Sequence, residues 1–254
     1  MNRVLNLAAF NIKVLLSDPT WFFLSWALFA LQLAIYGSLM SKLVSPNFPN
    51  YFFFYSIGLM IIVVFESAED VGRHFVENAH EGELPYFLSL PVSRSGFLAS
   101  QALYGVVNTL VKVAPPLLVV LFLWGSLTVT GALFSLLALF LLGLGITGMM
   151  VSLSFIAFKA VDLYLAVLAG LSALLVRFST VFYPLAFMPS NYSPVSVLSP
   201  LTYGADLTRW ILGFDSQYLL NPVLAGVVVT ALAASTLSLS ARIVDKIVEG
   251  VKAA

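Results

Sequence analysis

The chain has 254 residues, of which 60% are hydrophobic and only 9% charged, against about 25% charged in an ordinary soluble domain. A soluble globule of this length cannot hide that much apolar surface, because only part of any chain is buried on folding, so the composition defines a membrane protein. Twelve basic and twelve acidic residues cancel with no basic stripe, which excludes a nucleic-acid binder, and the lack of cysteine excludes a disulfide-stapled secreted domain.

Residues 1–18 are modestly amphipathic. Arg3, Asn6 and Lys13 share one helical face; Leu5, Ala8, Ile12 and Leu15 share the other. The pattern predicts an interfacial helix on the inner leaflet, in preference to a first span extended through a kink at Pro19. No cleavable signal is expected, because the first long apolar stretch starts only after Asp18-Pro19 and no small-residue cleavage site follows a short apolar core.

A helix needs about 20 apolar residues to cross a bilayer. Candidate spans are residues 21–39, 51–65, 97–124, 132–158, 163–184 and 222–243. Residues 125–131 and 159–162 are tight turns. Residues 66–96 and 185–221 are longer connections, neither able to hold an independent soluble domain. The expected fold is all-α: a single polytopic transmembrane domain over 1–254 with six transmembrane helices. Positive residues favour the cytoplasmic side. With the N-terminus inside, Arg3, Lys13, Arg73, Arg94, Lys159, Arg242, Lys246 and Lys252 are cytoplasmic, and only Lys42 and Arg209 fall outside. Both termini are therefore expected in the cytoplasm of a multi-pass protein of the cell membrane.

The connection 66–96 holds Glu66, Glu69, Asp70, Glu77, Glu81 and Glu83, with both histidines, His74 and His80. His74, Glu77 and Glu81 share a helical face, and histidine with carboxylate can bind zinc or exchange protons. However, there is no H-E-x-x-H pair and no second histidine at ligand spacing. A solvated charged loop accounts for the same residues, so neither a catalytic nor a metal site is assigned. The second half of this connection is more specific. Gly82 and Pro91 bracket a segment in which Leu84, Phe87 and Leu88 form one apolar face of a short helix, and Pro85 fits its first turn.

The run from Glu81 to Arg94, Glu-Gly-x-Leu-x-x-x-Leu-x-Leu-Pro-Val-Ser-Arg, resembles the loop after the second span of ABC type-2 transporter permeases. Glu83 stands at the usual Thr and Pro85 at the usual Glu. A second likeness lies in 185–221 and its approach. Tyr183-Pro184 with Pro189, Ser199-Pro200-Leu201-Thr202-Tyr203, then Asp206, Arg209 and Gly213 are similar to the last outer region of those permeases, with Ser199 in place of the usual Asn. Prolines 184, 189, 194, 200 and 222 forbid one continuous helix there. Broken half-helices in a re-entrant arrangement at the outer interface are expected. Asp206 and Arg209, three apart on a helix, are read as an ion pair, with an outer gate as the other reading.

Lys112 and Arg177 fall within spans, where a charge costs about 2.5–3.5 kcal/mol on insertion scales. They are candidates for a substrate path, touching an anionic substrate or lipid headgroup. Snorkelling or pairing is the competing reading, with Asn108, one turn before Lys112 on the same face, as its local partner. Pro115-Pro116 should kink the third span, and Gly143, Gly145, Thr147, Gly148, Ser152 and Ser154 mark a close-packed face of the fourth.

The chain carries no G-x-x-x-x-G-K-[ST] phosphate loop. The resemblance implies that ATP and Mg are bound by separate ABC-type ATPase subunits and that this chain binds no cofactor. It implies that 81–93 contains a coupling helix, with Leu84, Phe87 and Leu88 as buried contacts and Glu77, Glu81 and Glu83 as a polar rim. A second permease copy, as a homodimer ahead of a heterodimer, and membrane lipids are the other expected partners. The implied function is export through a path formed by the permeases. The alternatives are an intramembrane metal-dependent enzyme and an ATP-independent secondary transporter or channel.

Overall fold

The computed structural model describes residues 2–44, 48, 50–80, 94–125, 128–157, 160–214 and 216–253. The segment 81–93, with Glu81, Glu83, Leu84, Phe87 and Leu88, lies outside the described residues. Among these, all regular structure is helical. Helix α1 spans Asn2–Ser17; α2 (Thr20–Gln32), a π-helical turn (Leu33–Gly37) and α3 (Ser38–Val44) follow one another without a break. Then come α4 (Tyr51–His80), α5 (Arg94–Trp124), α6 (Val129–Ala157) and α7 (Val161–Arg177). Two short helices, α8 (Ser193–Leu198) and α9 (Pro200–Ile211), precede α10 (Pro222–Ala253). Pro194 and Pro200 sit in the first turns of α8 and α9, where a missing N–H costs least.

Among the described residues, five helical stretches are long and apolar enough to cross a membrane: Thr20–Val44, Tyr51–Glu77, Ser100–Trp124, Val129–Ser154 and Pro222–Ile243. Two expectations change. The second span was expected to stop at Phe65, where charges begin, but α4 continues unbroken to His80. No proline interrupts it, and Glu69–Arg73 and His74–Glu77 pair at helical spacing along the extension. Its other face stays apolar, with Ala68, Val71, Phe75 and Val76 buried. The fifth segment was expected to run to Pro184, but α7 ends at Arg177. At 1.5 Å per residue it is about 25 Å long, shorter than a hydrocarbon core of about 30 Å. The carbonyls beyond its end are turned toward another partner, described below. Helix α5 continues without a break through Pro115 and Pro116.

Helix α4 is the axis of the molecule: 83% of its apolar window is buried, against 22% for the first and last candidate spans. It packs on α5 and α6, and α6 packs in turn along α10. The small residues of α6 allow that last approach. A Cβ on Gly148 would lie 2.8 Å from Thr236 Oγ1 and 2.9 Å from the Leu237 nitrogen, and the Thr236 hydroxyl donates to the Gly145 carbonyl at 2.8 Å. Gly143 faces α4 and α5 instead, against Val64 and Thr109.

Gly148→Ala should therefore overpack the α6–α10 seam and cost about 1–3 kcal/mol. Gly226→Ala, where an added Cβ meets nothing within 4 Å, should stay near wild type. Unfolding in mixed micelles, measured on both variants, checks the contrast.

Candidate functional site

Helix α4 carries a polar cluster near each end. Phe54 and Asp70 are separated by sixteen residues of continuous helix, about 24 Å along its axis.

At the Phe54 end the centre is Arg209, wholly buried on α9. Its five N–H donors are all used. Nε and Nη2 donate to the Phe54 carbonyl at 3.3 and 3.0 Å, and Nη2 also to the Val181 carbonyl at 2.9 Å. Nη1 donates to the Thr180 carbonyl at 2.8 Å and to Asp206 Oδ1 at 3.1 Å. The guanidinium carbon lies 3.3 Å over the Phe54 ring. Asp206 is equally buried, and its second oxygen accepts from the Leu220 N–H at 3.1 Å while Oδ1 accepts from the Thr180 hydroxyl at 3.0 Å. Burial raises the Asp206 carboxyl above its ordinary range, opposed by Arg209, the Leu220 N–H and the Thr180 hydroxyl. Burial also lowers Arg209 to about 10, opposed by Asp206.

This arrangement explains the end of α7: the Thr180 and Val181 carbonyls serve Arg209 instead of a further helical turn. Gly58, one turn beyond Phe54, makes room for them, since a Cβ there would lie 2.0 Å from the Val181 oxygen. Around the cluster, Phe48 is a fully buried hub whose ring meets those of Tyr51, Phe54, Phe187, Phe214 and Tyr218. Tyr51 donates to the Phe182 carbonyl at 3.1 Å. Among the described residues every N–H of Arg209 has an acceptor and both Asp206 oxygens have donors, so the pair acts as a fastener.

At the other end of α4, Lys112 Nζ lies 2.6 Å from Asp70 Oδ2. The partner of Lys112 is therefore on the neighbouring helix and is not Asn108. Asn108 Nδ2 donates to the Ser67 carbonyl of α4 at 3.3 Å. These two contacts, one helical turn apart on each helix, stitch α5 to α4. Glu69 pairs with Arg73 and accepts from the Ser172 hydroxyl of α7 at 3.2 Å. A cavity of about 840 Å³ opens beside this cluster between α1, α2, α4 and α5, lined by residues that include Glu66, Glu69, Asp70, Arg73, Asn108 and Lys112.

Of the candidate path residues, the structure brings Asn108 and Lys112 to one cavity, and Arg177 is elsewhere. Arg177 is exposed in the last turn of α7, where a cation suits the helix dipole. Glu77 is exposed near the end of α4 and pairs with His74 at 3.2 Å. Glu66, Glu69 and Asp70, read from the sequence as part of a cytoplasmic loop, are instead on α4. The signal that could have found their role was Lys112 itself, since a cation placed in a span calls for a carboxylate on the helix beside it.

Helical spans with charged clusters confined to the ends of a buried axis define a multi-pass membrane protein. No family model matches the chain. Over 191 residues, 73% of its length, it is 30% identical to the protein of Cyanophora paradoxa named "Putative transport permease ycf38". The likeness covers 66% of that protein, just under two thirds. It supports a transport permease.

The fastener has a measurable consequence. Arg209→Met should cost about 3–5 kcal/mol, because it leaves Asp206 buried without its countercharge. Arg209→Lys keeps the charge but not the fork, and should recover only part of the loss. Unfolding of the two variants in mixed micelles tests this; a lysine variant as stable as wild type would show that charge alone matters.

Proposed function

We propose that the chain is the membrane subunit of an ATP-binding-cassette exporter of the type-2 class. The observation that carries the reading is its identity to a protein named a transport permease. Two features of the chain add support. These 254 residues contain spans and no phosphate loop, which fits a division of labour with a separate ATPase subunit. The 81–94 run, which resembles the permease coupling loop, lies between α4 and α5, the two helices joined by Lys112–Asp70.

On this reading the N-terminus, the 81–93 segment and the C-terminus face the cytoplasm, in line with the distribution of Lys and Arg. Helix α7 with the residues after it supplies the sixth crossing. Two permease copies and two ATPase subunits, which bind ATP and Mg, form the working unit. The ATPases dock on Leu84, Phe87 and Leu88, with Glu77, Glu81 and Glu83 at the rim. Closure of the ATPases on ATP then moves α4 and α5 together, because the contacts between them at this end are charged and hydrogen-bonded and have fixed register. A permease working without an ATPase is the competing reading, and the same experiment separates the two.

The test is purification of the tagged chain from its native membrane. A P-loop ATPase should accompany it and hydrolyse ATP in the complex. Phe87→Asp should release the ATPase or abolish stimulation of its turnover, whereas His74→Ala and His80→Ala should leave both intact. Transport by the chain alone in liposomes, with no ATPase present, would overturn the proposal.

A further inference from the structure

The cavity between α1, α2, α4 and α5 has mixed walls, with apolar side chains such as Phe10, Trp21 and Leu28 standing among polar ones. The first span supplies its polar share in an ordered way. Ser25 and Gln32 lie seven residues apart on α2, about two helical turns, and so share a flank. Asp18 and Asn11 continue the seven-residue spacing back to α1, and all four residues line the cavity.

Gln32 decides what fills the space. It stands at the midpoint of the first span, Thr20–Val44. Its side chain is exposed, and neither it nor Ser25 makes a side-chain hydrogen bond among the described residues. An amide left in hydrocarbon without a partner is strongly disfavoured. What satisfies Gln32 must therefore arrive through the cavity it lines. A volume of about 840 Å³ has room for many waters at about 30 Å³ each, and a roomy cavity with polar groups on its walls takes water where an apolar one stays dry. Charge adds a preference. Asp18, Glu66, Glu69 and Asp70 line the cavity against Arg73 and Lys112, so these walls are negative on balance. A cleft of one sign with low-dielectric walls concentrates ions of the other.

We propose that this cavity is a water-filled vestibule that admits small hydrophilic cations from the Asp70 end of α4 as far as Gln32, at the middle of the first span. Leu31, beside Gln32 at nearly the same depth, is exposed but does not line the cavity, so the wetted flank of α2 ends there. The vestibule lies within one chain. It rests on α2 and α4 crossing the membrane, as the permease reading has them, and does not depend on an ATPase partner.

The chain has no cysteine, so thiols can be placed one at a time. Ser25→Cys, Gln32→Cys and Leu31→Cys are made in the full chain and held in phosphatidylcholine nanodiscs, where both faces are open to reagent. Each is timed with two methanethiosulfonates of similar size, one headed by trimethylammonium and one by sulfonate. Every rate is divided by that of free 2-mercaptoethanol, which removes intrinsic reactivity. Positions 25 and 32 should react in the folded chain, and position 31 only after unfolding in dodecyl sulfate. The cationic reagent should be favoured by about tenfold at positions 25 and 32, the low end of electrostatic focusing. Glu66→Gln should cut that preference by about threefold, the worth of one unit charge several ångströms away in water. Thiols at 25 and 32 that react only after unfolding, equal rates at 31 and 32, or no preference between the two heads would each overturn the proposal.

Discussion

The guanidinium of Arg209 sets the geometry of one whole end of this protein. It is fully buried, and five hydrogen bonds to three carbonyls and one carboxylate consume all its donors. A charge this deep is tolerated only when every donor is met. Meeting them dictates much else. Helix α7 must stop at Arg177 so that Thr180 and Val181 can turn their carbonyls inward. Residue 58 must lack a side chain so that the Val181 oxygen can reach α4. Residues 218–220 must fold back so that the Leu220 N–H reaches Asp206. The proline-punctuated stretch after α7 is thereby fastened to the start of α4 and is not a loose loop.

The opposite end of α4 follows the same rule with a different outcome. Lys112 and Asp70 pair across two helices, and Asn108 reaches the Ser67 carbonyl one turn away. Here, however, the cluster borders a cavity, and Glu66 lies exposed beside it with no hydrogen bond or ion pair among the described residues. The two ends of one buried helix therefore differ: the first is closed around Arg209, and the second opens on a cavity. The charged cluster lies at the same end of α4 as the 81–93 segment, where the proposed ATPase would act.

Much of the fold was legible in the residues. The start and end of α1, the turn after Trp124, the start of α10 at Pro222 and the close-packed face of α6 all follow from apolar period, proline placement and small-residue spacing. What was not legible depends on contacts between distant residues. Glu66 looks like the end of a span because charge there looks like water, but the buried face of Ala68, Val71 and Phe75 carries α4 on for four more turns. The apolar run 163–184 reads as one helix, and only Arg209, tens of residues later, shows why it stops. Local spacing offers Asn108 as one partner for Lys112, but a carboxylate on another helix, Asp70, takes the lysine. The π-helical turn at Leu33–Gly37 has no evident mark in the sequence.

In the proposed topology α4 crosses the membrane with its Arg209-fastened end outside and its Glu66–Glu77 end in the cytoplasm, where the proposed ATPase would reach it. The chain has no cysteine, so single substitutions report cleanly. Ser190→Cys, between α7 and α8, and Glu77→Cys should be probed in intact cells with a membrane-impermeant maleimide. The account predicts that position 190 is labelled from outside and position 77 only after the membrane is opened. Labelling of position 77 in intact cells, or of both positions from the same side, would contradict it.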